Sequence, residues 1–324
     1  MSDAILKVER LSKYFDAQNH IIMRSRANVK AVDDVSFSVR KGSIYALVGE
    51  SGCGKSTTAR LIMRLLQPTA GKVVFDGQDV FALPEDKLLL MRQNIQMIFQ
   101  DPYSSLNPRW RVGKLISEPL DTHNIGTKAE RKEMVNSILQ TVGLAPESAN
   151  KYPHQFSGGQ RQRIGIARAL ITNPKCVLCD EPISALDVSI QAQIINLLNE
   201  LREKLDLTYL FITHDLRVVR FLCDDVGVMY LGKLVETGPA SVIFGGALHP
   251  YTQALFSAIP TANPEVKKQE IFLEGDVPSP LNPPSGCRFH TRCPHAMKIC
   301  AEQEPPLEAA DGNHYCACHL YNKN

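Results

Sequence analysis

The chain has 324 residues, with 36 Lys and Arg against 34 Asp and Glu, a formal net charge of +2 and 44% hydrophobic residues. That length suits one substantial core with an appendage, or two domains of ordinary size. The charge is nearly balanced and no dense basic stripe is present, so the sequence gives no reason to expect a nucleic-acid partner. No run approaches the roughly 20 apolar residues of a membrane span, and the N-terminal MSDAILKVER lacks the apolar core of a signal peptide. A cytoplasmic location is expected.

In chain order, Ile5 to Gly77 reads as short strands and turns. Val35, Phe37 and Val39 alternate with polar residues, and Val73 to Phe75 runs into an Asp76-Gly77 turn, which together predict an antiparallel β portion. Within it, Ile44 to Val48 is a fully buried parallel strand and Ser56 to Leu66 a helix. Gln93 to Gln100 is a further strand. From Pro108 to Phe156 charge rises and the period becomes helical, with Ala129 to Val142 the clearest helix. This predicts an inserted helical subdomain, at about residues 101–160.

Gln160 to Ile171 is then helical, Cys176 to Cys179 a buried strand, Ile190 to Leu205 an amphipathic helix and Tyr209 to Thr213 another buried strand. Strands alternating with helices imply a parallel sheet and an α/β fold. Val226 to Tyr230 and Lys233 to Glu236, joined by Leu231-Gly232, form a closing hairpin. Beyond Pro260 the prolines Pro278, Pro280, Pro283, Pro284, Pro294, Pro305 and Pro306 argue against regular helix or sheet. A tail of that kind needs a staple other than a large core.

The stretch GESGCGKST, from Gly49 to Thr57, fits a nucleotide phosphate loop at every constrained position. Gly49, Glu50, Ser51, Gly52, Cys53 and Gly54 let backbone N–H groups converge on phosphates. Lys55 neutralises the outer oxygens, Ser56 offers a hydroxyl to Mg2+, and Thr57 continues into a helix whose positive end faces the anion. A plain glycine-rich turn would not need strand, loop, lysine, hydroxyl and helix in that order.

Val177-Leu178-Cys179-Asp180-Glu181 is an apolar strand ending in two carboxylates. Asp180 is placed to hold the magnesium, and Glu181 to act as general base on the attacking water. The competing reading is an acidic helix start ahead of Pro182.

Phe156 to Arg163, FSGGQRQR, brings the sequence to a family. With GESGCGKST, Gln100, Ser184-Ala185-Leu186-Asp187 and Thr213-His214-Asp215, it resembles the ATP-binding cassette (ABC) proteins over roughly residues 5–240. The resemblance implies a P-loop NTPase with a RecA-like parallel sheet core, an antiparallel β subdomain and an inserted helical subdomain. It also implies two such domains paired head to tail, each ATP lying between one subunit's phosphate loop and the partner's Ser157, Gly158, Gly159 and Gln160. Gln100 resembles the glutamine that senses magnesium and water, and His214 the switch histidine that contacts the γ-phosphate. Asp187 would bridge the protomers near the phosphates. Phe15 aligns with the aromatic that stacks on adenine, with Tyr14 adjacent.

Five of the nine cysteines fall between Cys287 and Cys318, a pattern that suggests a metal site in a cytoplasmic chain. His249 to Pro260, Gly275 to Cys300 and the DPYSSLNPR that follows Gln100 resemble the ATPases of oligopeptide and dipeptide importers. In that group Cys287, Cys293, Cys300 and Cys318 match the spacing that carries a [4Fe-4S] cluster. Four thiolates also suit zinc. Cys316 lies two residues before Cys318 and competes for the fourth place, whereas Cys176, Cys179, Cys53 and Cys223 read as packing residues.

The resemblance divides the chain into an ATP-binding domain, 1–260, and a Cys/Pro-rich C-terminal extension, 261–324. It implies an ATPase that energises a peptide importer from the cytoplasmic face of the membrane. Its partners would be a second homologous ATPase subunit, two permeases and, indirectly, a periplasmic or extracellular peptide-binding protein. Alternatives are a soluble ABC ATPase not tied to transport, or import of nickel or another peptide-like solute. A soluble repair or translation ATPase would call for tandem cassettes, coiled-coil arms or a basic groove, and the sequence has none of these.

Overall fold

The computed structural model describes residues 4–16, 28–101, 103, 105–259 and 271–321. Pro102, Ser104, Pro260 and the division expected at residues 260–261 lie outside the described residues. The chain forms two compact units, one of residues 1–39, 45–81 and 213–324, the other of residues 40–44 and 82–212.

The first unit contains the expected antiparallel sheet. Ala4–Asp16 pairs with Ala70–Phe75 in the register Leu6 to Phe75 and Val8 to Val73, with Asn28–Arg40 on one side and Gln78–Asp79 on the other. Leu6, Val8, Val35, Val39, Val73 and Phe75 are all buried, as alternation requires of a sheet with one covered face.

In the same unit from Tyr45 onwards, the strand Ile44–Val48, buried at all five positions, pairs in parallel with Asp225–Tyr230. The hairpin from Asp225–Tyr230 to Lys233–Pro239 turns at Leu231 and Gly232, both at positive φ (43° and 81°). Positive φ at both central residues is the two-residue turn whose twist matches the strands, and here a leucine accepts it. Around these strands Val48, Val226, Val228, Tyr230, Tyr251 and Phe289 pack in one core.

The tail departs from expectation. It contains the helix Lys298–Glu302 and the strands Glu308–Asp311 and His314–Cys316, the last pairing antiparallel with Lys233–Pro239 (Glu236 to Cys316). The prolines explain where regular structure is allowed. The helix fits between Pro294 and Pro305, and both strands follow Pro306, where no proline interrupts the ladder.

The second unit carries the parallel strands Ile95–Ile98, Cys176–Asp180 and Thr208–Thr213, in the registers Ile95 to Cys176 and Cys176 to Thr208. Its helical insertion includes Val112–Thr122 and Lys128–Thr141. Thr127 caps the latter in a capping box with Glu130, which fixes its start. Gly158–Leu170 and Val188–Leu205 are the other long helices.

One segment corrects the sequence reading. The strand expected from Gln93 begins only at Ile95, because Glu85–Asn94 is a helix with Glu85 and Asp86 in its first turn. Four consecutive apolar residues, Leu88 to Met91, blur its period. Pro84 followed by two acids was the available signal.

Candidate functional site

The phosphate loop leaves its buried strand at Gly49, whose φ of 150° no side chain would accept readily. A Cβ there would meet the carbonyl oxygen of Met229 at 2.2 Å, and one at Gly54 (φ 108°) that of Ala31 at 2.2 Å. These two glycines bring loop and neighbouring backbone into direct contact. Lys55 is buried, 4% exposed, and its Nζ donates to the carbonyl oxygens of Gly49 (2.8 Å) and Glu50 (2.9 Å) and to Cys53 Sγ (3.7 Å). Thr58 Oγ1 donates to the Gly54 carbonyl at 3.0 Å, tying loop to helix Lys55–Ile62. Ser51 and Gly52 are exposed at the tip, and Ser56 and Thr57 are half-buried. Burial pushes the Cys53 thiol up, so this cysteine behaves as the expected packing residue.

In the antiparallel sheet, Tyr14 and Phe15 separate cleanly. Tyr14 donates its hydroxyl to Asp33 Oδ1 at 2.5 Å, whereas Phe15 is 37% exposed with Lys13 Nζ 5.1 Å from its ring centroid. Phe15 is the ring open to stacking. Asp33 also pairs with the buried Arg288, with Lys233 at 3.5 Å and with Lys30 at 3.9 Å. His214 is exposed after the buried strand Thr208–Thr213, and Asp215 caps helix Leu216–Leu222 by accepting from Arg217 N at 3.0 Å.

The second unit holds the acids and the glutamine. Asp180, 5% exposed, closes the strand Cys176–Asp180, and Glu181 follows at φ 47°. Gln100 Nε2 donates to Glu181 Oε2 at 3.0 Å, and Glu181 N donates to the Ile212 carbonyl at 2.9 Å. Glu181 is thereby aimed by a side chain from another strand end. The reading of Asp180-Glu181 as a helix start is set aside, because the next helix begins at Val188 after Asp187.

Ser157 caps helix Gly158–Leu170. Gln160 N donates to Ser157 Oγ at 3.3 Å, and Ser157 N donates to Gln160 Oε1 at 3.0 Å. Ser157, Gly158, Gln160 and Asp187 are exposed, while Gly159 is buried with Ile190 Cγ2 2.4 Å from where its Cβ would stand. The motif's outer residues face outwards and its inner glycine serves packing.

In the tail, Cys287, Cys293, Cys300 and Cys318 line one small cavity with His249, Phe289, His290, His295 and His319. Cys316 does not line it. It is 1% exposed in the strand opposite Glu236. Burial pushes the Cys287 thiol up to about 11. Among the described residues, no group of three or more His, Cys, Asp or Glu is disposed to hold a metal ion. A single tetrahedral zinc would draw four sulfurs to within about 4 Å of one another.

Sequence reasoning missed the contacts that tie this tail to the rest of its unit. Arg292 pairs with Glu50 at 3.1 Å, Tyr251 OH accepts from Glu50 N at 3.0 Å, and the fully buried Glu236 pairs with His314 at 2.7 Å. Glu236 also accepts from the backbone N–H groups of Leu248 (2.7 Å) and His249 (3.1 Å). Two arginines, Arg288 and Arg292, between Cys287 and Cys293 were the local signal for the first of these.

Comparison with known proteins gives the arrangement a context. Residues 32–184 match the ABC transporter family, and residues 235–300 match the oligopeptide/dipeptide transporter C-terminal region. The oligopeptide transport ATP-binding protein AppF of Bacillus subtilis is 54% identical over 99% of this chain and 98% of its own length. A probable peptide ABC transporter ATP-binding protein of Sinorhizobium fredii, y4tS, is 48% identical over 99% of this chain and 91% of its own. Among solved structures, the dimeric post-hydrolysis ATP-binding cassette MJ0796 bound to ADP and Pi superposes with a TM-score of 0.64 at 30% identity, covering 72% of this chain and 98% of that one. The Clostridium perfringens cbiO1, part of the ABC transporter complex cbiONQ, gives 0.63 at 27% identity, covering 75% and 91%.

Proposed function

From the premise that this chain belongs to the ABC transporter family, in the oligopeptide transport group, we infer that it is the ATP-binding, ATP-hydrolysing subunit of a peptide importer. The observation that carries this reading is one chain bearing both a phosphate loop and a self-capped, outward-facing Ser157-Gly158-Gly159-Gln160 helix start. Such a helix start presents N–H groups and a positive dipole end, a surface that fits phosphate oxygens. ATP is bound between the phosphate loop of one subunit and this surface of a partner, and its binding closes the pair.

Within that site Gly49 to Thr57 cradle the phosphates, Lys55 neutralises them and Phe15 stacks on adenine. Glu181, oriented by Gln100, withdraws the proton from the attacking water, and His214 contacts the γ-phosphate and orders Glu181. Asp187 bridges the two subunits. Ser56, Gln100 and Asp180 would hold Mg2+, which supplies charge neutralisation on the phosphate oxygens.

Residues 1–260 form the ATP-binding domain, with the helical subdomain at about 101–160 contacting the permeases, and 261–324 form the extension. The partners are a second homologous ATPase, two permeases and an external peptide-binding protein. The chain sits peripherally on the inner face of the cell membrane, in keeping with the absence among the described residues of a helix long and apolar enough to cross one. Dipeptides and oligopeptides are the cargo class.

The four cysteines around one cavity, with no carboxylate lining it, suit a [4Fe-4S] cluster held by Cys287, Cys293, Cys300 and Cys318. Such a cluster would staple the tail, and zinc is the alternative. The test of the function is co-purification with membrane permeases, followed by ATPase assay in vesicles against a peptide panel. Peptide-stimulated hydrolysis is expected. Hydrolysis indifferent to every peptide, with no permease retained, overturns the reading.

A further inference from the structure

We propose that Arg292 of the C-terminal extension is a positioning residue of the nucleotide site, acting by neutralising and holding Glu50 of the phosphate loop. The inference rests on the reading of Gly49 to Thr57 as that site.

Glu50 is the first loop residue after Gly49, and its carbonyl is one of the two that hold Lys55 Nζ. Glu50 therefore belongs to the loop that would cradle a polyphosphate, where an uncompensated negative charge nearby opposes binding. Arg292 meets it with both terminal nitrogens: Nη1 lies 3.1 Å from Oε2 and 3.4 Å from Oε1, and Nη2 lies 3.5 Å from Oε1. The Arg292 side chain is 9% exposed and that of Glu50 28%, so the pair is partly shielded from solvent.

Three features hold the guanidinium in place. Nη1 also reaches Tyr230 OH at 3.4 Å, and the guanidinium carbon lies 6.0 Å from that ring's centroid. Arg292 N donates to the Phe289 carbonyl at 3.0 Å, and Phe289 is locked edge-on against Tyr230 and tilted against Tyr251. The turns continue on both sides, with His290 N donating to the Cys287 carbonyl (3.0 Å) before Arg292 and Ala296 N to the Cys293 carbonyl (3.2 Å) after it. Tyr251, in the same aromatic group, accepts from Glu50 N. One residue of the loop is thus gripped at its backbone and its carboxylate by one packed cluster. The extension is more than a stapled appendage: it supplies the countercharge that lets an acidic residue sit beside bound phosphate.

The test is MgATP titration of the full chain, followed by nucleotide fluorescence, for Arg292→Ala, Arg292→Lys, Glu50→Gln and the double variant Arg292→Ala/Glu50→Gln. Arg292→Ala is expected to weaken MgATP binding about ten-fold, as an unmasked unit charge near polyphosphate should. Glu50→Gln in the same background should restore most of that loss, because no carboxylate remains to mask, and Arg292→Lys should lose less than Arg292→Ala. A purely structural arginine would not be rescued by changing its partner. Wild-type affinity in Arg292→Ala, or a double variant as weak as Arg292→Ala, overturns the proposal. If Arg292→Ala does not fold, Glu50→Arg decides on its own: it reverses the charge from the loop side, and affinity unchanged there also overturns it. Lys55→Ala run alongside separates the two levels: MgATP binding unaffected by that change would reject the phosphate-loop reading itself.

Discussion

At the scale of single residues, the proposed chemistry depends on two side chains held by very different means. Lys55 is buried and held by the loop's own carbonyls, so its ammonium is fixed before any phosphate arrives. Replacing it by alanine should weaken nucleotide binding itself by at least about ten-fold, measured by titration with a fluorescent nucleotide. Glu181 is aimed by Gln100 from a backbone at positive φ, a strained conformation of the sort that collects at working sites. Glu181→Gln should keep ATP bound while single-turnover phosphate release falls about 10²–10⁴-fold, the usual share of a general base. Near-normal release would remove Glu181 from that role.

At the scale of elements, the sequence was most readable where one local rule decides the outcome. The strand Ile44–Val48 and the phosphate loop follow from an apolar run and from glycines that nothing else can replace. The cap at Ser157 was written in Ser and Gln three apart, and the structure adds why Gly159 stands between them. Helix Gly158–Leu170 touches Ile190 of helix Val188–Leu205 where a Cβ would stand. Gly159→Ala should therefore destabilise the protein by about 1–3 kcal/mol through overpacking. Adding Ile190→Ala should return much of the loss in a thermal melt, and failure of that rescue would mean that the cost lies elsewhere. Helix Glu85–Asn94 was hidden because its apolar residues are consecutive and carry no period. The tail strands were hidden because proline content is a property of the segment, whereas strand formation depends on the few residues after Pro306.

At the scale of the whole molecule, long-range ion pairs join segments that no sequence rule connects. Asp33 and Arg288 are far apart in the chain and meet in a nearly dry environment, with side chains 10% and 6% exposed. Burial alone would raise the Asp33 pKa. The hydrogen bond from Tyr14 and the charges of Lys233, Arg288 and Lys30 outweigh burial and hold it below the usual carboxylate value. A depressed folded pKa gives stability that is complete above the ordinary carboxylate range and lost as pH falls through the folded value. Asp33→Asn should lose about 3 kcal/mol near neutral pH, since it strands a buried guanidinium. Its stability should also fall less steeply than the wild type's below pH ~4, which denaturant melts across pH would show. Parallel acid profiles for the two proteins would exclude Asp33 as the linkage group.

The strand His314–Cys316 covers the outer edge of Lys233–Pro239, with Cys316 opposite Glu236, about 80 residues earlier in the chain. During synthesis at ~5–20 residues per second, that edge waits roughly 4–16 s for its partner strand to be made. For those seconds an apolar hairpin presents unpaired N–H and C=O groups to any neighbouring chain. The last part of the tail is thus a seal on a sticky seam, and crowded polysomes translating this message are where its loss would first be felt, as aggregation of otherwise well-made subunits.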